Sequence, residues 1–227
     1  MKTNIHRRSG FTLVELLVVI VIIASLASLS VPMIIRQKKQ ADKATAISNA
    51  GQLYYAFISF DEDYGKFPDS ETQKDVQTNF PDAKQTADAN SSNGYFRQFF
   101  MAGLVESEDI FYVKDGLAKR GDGVINGTEC LKARENGFGY ILDGIKGLST
   151  AGNSARAIVA TPLKADGTFN PDPFDKKAVV LRVDKSVSVL NINTTGEAIL
   201  PGGKKLLQAG PDTIWEGTTP TMVKPLN

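Results

Sequence analysis

Between Glu15 and Arg36 the chain carries 20 consecutive residues without a charge. A helix rises about 1.5 Å per residue, so a run of this length spans the roughly 30 Å hydrocarbon core of a bilayer. One carboxylate, Glu15, stands at the start of the run. An acid placed toward mid-membrane costs about 2.5–3.5 kcal/mol on insertion scales, so a residue kept there at that cost marks a functional position.

The run is preceded by Arg7-Arg8-Ser9-Gly10-Phe11-Thr12-Leu13-Val14-Glu15. This stretch resembles the prepilin leader of type IV pilins and type II secretion pseudopilins. In that family a short basic leader ends in Gly and is followed by Phe-Thr-Leu-hydrophobic-Glu and a membrane helix. The match at Gly10 to Glu15 has no departure. It is close over about the first 35 residues and looser as far as Pro68.

The resemblance implies cleavage between Gly10 and Phe11 by a prepilin peptidase, N-methylation of Phe11, and assembly into a filament. In the family, the acid corresponding to Glu15 meets the N-terminal amine of a neighbouring subunit and sets the axial register. The physics agrees. Cleavage would place a cationic amine at Phe11, one turn from Glu15 and at the positive end of the helix. An intrachain bridge or a snorkelling carboxylate is the alternative. Pro32 falls inside the helix, where pilins often carry a proline. Such a residue removes one backbone hydrogen bond, and Ser25, Ser28 and Ser30 stand near enough to help satisfy what it frees. A harmless kink remains the other reading of Pro32.

Residues 1–10 lack the apolar segment of a secretory signal peptide. Lys2, Arg7 and Arg8 precede the run, and Arg36, Lys38, Lys39 and Lys43 follow it. The positive-inside rule therefore chooses no side. The resemblance does: it puts the leader in the cytoplasm and the remainder across the inner membrane of a bacterium, in the periplasm.

Past Arg36 the helix is expected to continue. Ala41, Ala44, Ile47, Leu53, Tyr54, Phe57 and Ile58 recur as one apolar stripe among polar residues. Asp61-Glu62-Asp63 and Tyr64-Gly65-Lys66-Phe67-Pro68 end it. The second string also resembles the pattern that closes this helix in secretion pseudopilins. From Phe11 to Tyr64 such a helix would measure about 80 Å. No domain of this size can bury it, so its first half must lie in lipid or among copies of itself.

The chain thus reads as a leader at 1–10, a transmembrane helix half at 11–35, an amphipathic continuation at 36–64 and a globular head at 65–227. The fold class is α+β and pilin-like, the long helix packed on an antiparallel sheet. Polar residues 69–94 read as a loop, with a short helical turn as the alternative. Residues 95–105 place Phe96, Phe99, Phe100 and Leu104 on one face of a short helix capped by Ser92 or Asn93, an aromatic face suited to a core. A short extended piece is expected at 110–113. Strands are expected at 139–142, 157–161, 178–183 and 187–192, the last two joined by Asp184-Lys185-Ser186. The tail, with Pro211, Pro220 and Pro225, reads as a surface segment, and Trp215 as packing on the end of the sheet.

Composition excludes several activities. The formal charge is +1, and loss of the leader turns it slightly acidic, so no nucleic-acid partner is expected. The single histidine, His6, lies in the leader, which removes His-paired nucleophiles and histidine metal sites from a processed chain. Cys130 is alone, so no intrachain disulfide forms, and a lone cysteine behaves as a small hydrophobe. The string Gly121 to Glu129 offers Asp122, Asn126 and Glu129 as oxygen donors but lacks the spacing of an EF-hand loop. No cofactor or metal is expected, with a calcium site in the head as the minor alternative.

An anchored enzyme finds no nucleophile elbow or phosphate loop to support it. The reading is a structural subunit of a periplasmic pseudopilus in type II protein secretion. A type IV pilus subunit, for adhesion, motility or DNA uptake, is the alternative. The expected partners are copies of itself and related pseudopilins, the prepilin peptidase and methyltransferase, the assembly platform, and the membrane.

Overall fold

The computed structural model describes residues 11–226, the side chain of Leu29 excepted. The expected leader at 1–10, with Gly10 and His6, lies outside the described residues. Contacts divide the chain into a unit ending at Gln40 and a unit beginning at Ala41.

The first unit carries the start of helix α1, Leu13–Tyr64. Its apolar side chains, from Phe11 to Ile35, are exposed all round wherever described. A helix that is apolar on every side has no solvent-facing stripe and is stable only where something other than water surrounds it.

The second unit is an α+β head built on the rest of α1. Ala46, Ala50, Leu53, Phe57 and Phe60 are wholly buried at alternating spacings of four and three. The expected stripe holds at Leu53 and Phe57 and is displaced elsewhere: Ala41 and Ala44 are exposed, and Ile47, Tyr54 and Ile58 only half-buried. The two small alanines let the backbone come close to the head, while larger residues flank the contact. Asn49 lies beside this face and donates from Nδ2 to the carbonyls of Tyr112 and Asp109 at 2.8 and 3.1 Å.

Gly65 ends α1 in the left-handed region, φ 74°, where its N–H donates to the Asp61 carbonyl at 2.7 Å. This is a helix stop that glycine adopts without a Cβ penalty. Phe67 then turns into the core, and the Asp69 carboxylate organises the next segment. Its Oδ1 accepts from the backbone of Glu71 and Thr72 at 2.8 and 2.9 Å. Its Oδ2 accepts from Gly147 N–H at 3.1 Å and pairs with Lys66 at 2.8 Å. These bonds support helix α2, Thr72–Asn79, a full eight-residue helix in a stretch that sequence assigns to a loop.

Helix α3, Ser92–Met101, starts three residues earlier than the expected helix. Its cap is Ser91, whose hydroxyl accepts from Gly94 N–H at 3.1 Å, in place of Ser92 or Asn93. Every residue of α3 is buried, so it has no solvent face. Its polar residues are satisfied inside. Asn93 donates to the Leu131 carbonyl at 2.7 Å, Arg97 Nε to the Cys130 carbonyl at 2.6 Å, and Gln98 to the Asp69 carbonyl at 3.0 Å. Buried polar groups persist only with such partners. The extended piece expected at 110–113 is instead a 3-10 turn, Glu108–Phe111.

Six strands follow: β1 Gly139–Asp143, β2 Ala157–Thr161, β3 Lys177–Arg182, β4 Val187–Ile192, β5 Ala198–Ile199 and β6 Pro220–Val223. They form one antiparallel sheet in the order β5-β4-β3-β2-β1-β6. The first four match the expected strands within a residue at each end. The tail departs from expectation: β6 returns to pair with β1, Tyr140 opposite Val223. Trp215 is fully buried and donates from Nε1 to the Leu206 carbonyl at 2.7 Å.

One close approach ties the segment after α1 to the segment after β1. A Cβ built on Gly147 would lie 1.9 Å from the Phe67 carbonyl oxygen, backbone that no rotamer change can move. Gly147→Ala is therefore expected to destabilise the head by about 3 kcal/mol or more, a loss on the scale of an overpacked core. Thermal unfolding of the detergent-solubilised chain measures it, and an unchanged melting temperature would remove this contact from the account.

Candidate functional site

The start of α1 is a reciprocal cap. The Thr12 carbonyl accepts the first helical bond, from Leu16 N–H at 3.2 Å, which makes Thr12 the N-cap. Thr12 N–H and Oγ1 both donate to Glu15 Oε2, at 2.8 and 2.7 Å, and Glu15 N–H donates to Thr12 Oγ1 at 3.2 Å. This is a capping box, Thr-x-x-Glu, which satisfies orphan donors of the first turn with the helix's own side chains. Sequence reasoning paired Glu15 with the Phe11 amine and passed over Thr12, although the Thr-x-x-Glu spacing was there to read.

Only one carboxylate oxygen is committed to the cap. Among the described residues, Glu15 Oε1 accepts nothing. Phe11 beside it is 83% exposed. The arrangement holds one carboxylate oxygen in place and leaves the other exposed. Gly10, the other half of the expected cleavage site, is among the residues not described.

Downstream, α1 contains an 18-residue window apolar enough to cross a membrane, none of it buried within the chain. Pro32 lies inside this helix, which continues through it. The carbonyl left without its donor is that of Ser28, four residues back. The nearby serines do not serve it: Ser25 donates to Ile22 at 2.8 Å, Ser28 to Ser25 at 2.7 Å and Ser30 to Leu26 at 2.9 Å. The help expected from these hydroxyls goes to the preceding turn instead.

A second cluster lies in the head. Single carboxylate oxygens of Glu108, Asp122 and Glu135 come within 4.8 Å of one another. Of the donors expected around Asp122, the Glu129 carboxylate does not belong to this group. Glu108 and Glu135 are buried, and burial followed by the Glu108 charge pushes the Glu135 carboxyl above its usual range. The chain provides its own cation. The Lys132 ammonium bonds Asp122 and lies 3.5 Å from Glu129 and 4.0 Å from Glu135. The bond from Lys132 also holds the Asp122 carboxyl below its usual range. Glu108 accepts from Leu131 and Gly123 N–H at 2.7 and 3.1 Å. Oxygens of this cluster thus already accept from protein donors, which argues against a calcium site here. Calcium titrated into the full chain is expected to give no saturable binding heat, and a stoichiometric isotherm would overturn that. Cys130 nearby is fully buried; desolvation pushes its thiol up to about 12, which leaves it unreactive.

A capped helix, apolar on all sides over its first half and continuing into an antiparallel α+β head, defines the pilin-like class of subunits. Residues 5–31 match the family model described as the prokaryotic N-terminal methylation motif. The chain is similar to the type II secretion system core protein G of Klebsiella pneumoniae, 31% identical over 135 residues, covering 54% of this chain and 96% of that protein. It is similar to the same protein of Dickeya chrysanthemi at 30% over 144 residues, 58% of this chain and 94% of that one. The Aeromonas hydrophila protein is 37% identical over 93 residues, 41% of this chain, and the match spans only 65% of that relative. The chain belongs to the family of the type II secretion system core protein G, the pseudopilins. No solved structure matches it significantly.

Proposed function

We propose that this chain is a structural subunit of a periplasmic pseudopilus in type II protein secretion. The observation that carries the reading is the apolar half of α1, exposed on every side. Such a helix needs lipid around it as a single subunit and copies of itself around it once extracted. The relatives' name supports secretion over a type IV pilus.

In this reading a prepilin peptidase cuts between Gly10 and Phe11, and the new amine at Phe11 is N-methylated. Glu15, already fixed by Thr12, offers Oε1 to the Phe11 amine of a neighbouring copy. Pro32 leaves the Ser28 carbonyl for a donor on an adjacent helix. The subunit crosses the inner membrane once, its head in the periplasm, and its partners are its own copies, related pseudopilins and the assembly platform. It performs no catalysis of its own.

Intact-mass measurement of protein purified from a host with active prepilin peptidase tests the processing. The expected species begins at Phe11 and carries one added methyl group. A chain that retains its leader in that host would sink the reading.

A further inference from the structure

Two sets of charges lack ion-pair partners among the described residues. Arg36, Lys38 and Lys39 follow the apolar run, and among the described residues none lies within 4 Å of an acid. At the other end of α1, Glu62 and Asp63 are exposed and equally unpaired. Asp63 shares an open depression with Asp75 of α2. The last turn of α1 contains no basic residue. Carboxylates there face the negative end of the helix dipole, an unfavourable position that a cation would relieve. Within one helix only residues three or four apart meet, so the two sets cannot pair inside a single chain.

We propose that Glu62, Asp63 and Asp75 form a docking face for the Arg36, Lys38 and Lys39 band of a second copy of this chain. The inference rests on the pseudopilus reading. In that orientation the basic band lies on the far side of the membrane from the leader, against the positive-inside bias. Cations kept against that bias need an anionic partner. Lipid phosphate could supply one for the band, but it would leave the carboxylates about 36 Å further along α1 uncompensated. A second copy neutralises both sets with one contact. The contact is heterologous, one patch meeting a different patch, and so it propagates along a filament instead of closing a dimer.

The test is a charge-reversal cycle in the full chain, expressed with its prepilin peptidase and assembly platform, with filaments sheared and quantified. Glu62→Lys with Asp63→Lys is expected to cut filament yield about tenfold, and Arg36→Glu with Lys38→Glu to do the same. Combining all four should restore yield to within about threefold of the unmodified chain, because the pairing is then re-formed with opposite sign. Melting temperature and membrane insertion are measured on each variant. Where a reversal fails to accumulate, the neutral set Glu62→Gln, Asp63→Asn, Arg36→Gln and Lys38→Gln replaces it, and losses that are less than additive support the contact. Unchanged yield from the acidic reversal overturns the proposal. A band reversal that is harmful and not rescued overturns it in favour of lipid phosphate. Absence of filaments from the unmodified chain instead sinks the pseudopilus reading itself.

Discussion

Glu15→Gln is expected to leave the chain inserted and cleaved but unable to grow filaments. Glutamine keeps the capping box, since its carbonyl accepts from Thr12 as the carboxylate does. It removes only the charge. Glu15→Val removes both and should start its helix less firmly, by about 1 kcal/mol, the usual worth of a cap. If the cap were the whole role of Glu15, the glutamine chain would assemble normally. If the charge meets a neighbouring amine in an apolar bundle, either substitution strands that amine, at a cost of about 3–5 kcal/mol. The second term outweighs the first, so both variants should fail alike in a sheared-filament assay. Normal filaments from Glu15→Gln would refute the pairing role and leave Thr12 as the partner that matters.

Phe57→Ala is expected to cost the head about 3–5 kcal/mol, much of the 5–15 kcal/mol that holds a typical domain. Phe57 is fully buried where α1 meets everything else in the head. Its ring lies 5.0 Å from Phe67 and Phe99, 5.6 Å from Tyr140 and 5.9 Å from Phe96. These residues come from the helix exit, α3 and β1, so the cavity would open between elements that cannot easily close on it. Tyr140 in turn donates its hydroxyl to the Pro68 carbonyl at 2.8 Å, which fixes the chain just past Phe67. Tyr55 is the control. It sits on the same helix, 59% exposed, with Lys185 against its ring and hydroxyl. Tyr55→Ala should move stability by no more than about 0.5 kcal/mol. Equal losses from the two variants in a thermal melt of the full chain would remove Phe57 from the centre of the head.

The first four strands were legible because each is a β-branched or apolar run between turn residues, buried on both faces in β2 and nearly so in β1 and β3. Strand β6 was not. Pro220 looked like a reason against pairing, yet a proline is tolerated at the first position of an edge strand, where no ladder donor is lost. Helix α2 was hidden because only Thr72 and Val76 of its eight residues are buried. Its order comes from Asp69 and from Thr72 Oγ1, which donates to Gln98 at 2.8 Å, a partner 26 residues away that periodicity cannot reveal. On α1 the expected stripe held Leu53 and Phe57 of the buried face, but it took Ala41 and Ala44 where the contact uses Ala46 and Ala50. Smallness there is the means of approach, and it shows only once the opposing surface is known. At the candidate site the acid was legible and its partner was not, because attention to charge obscured a hydrogen-bonding pattern three residues long.

The Thr12–Glu15 cap has a consequence for the time between synthesis and use. A carboxylate left bare in lipid would drive its chain either out of the bilayer or into the first neighbour it met, productive or not. With Oε2 already bonded twice, part of the cost of holding that acid in a nonaqueous setting is met inside the single chain. In the proposed pseudopilus such a subunit would be able to wait in the membrane as an unassembled reserve, with Oε1 as the oxygen left to commit it on recruitment.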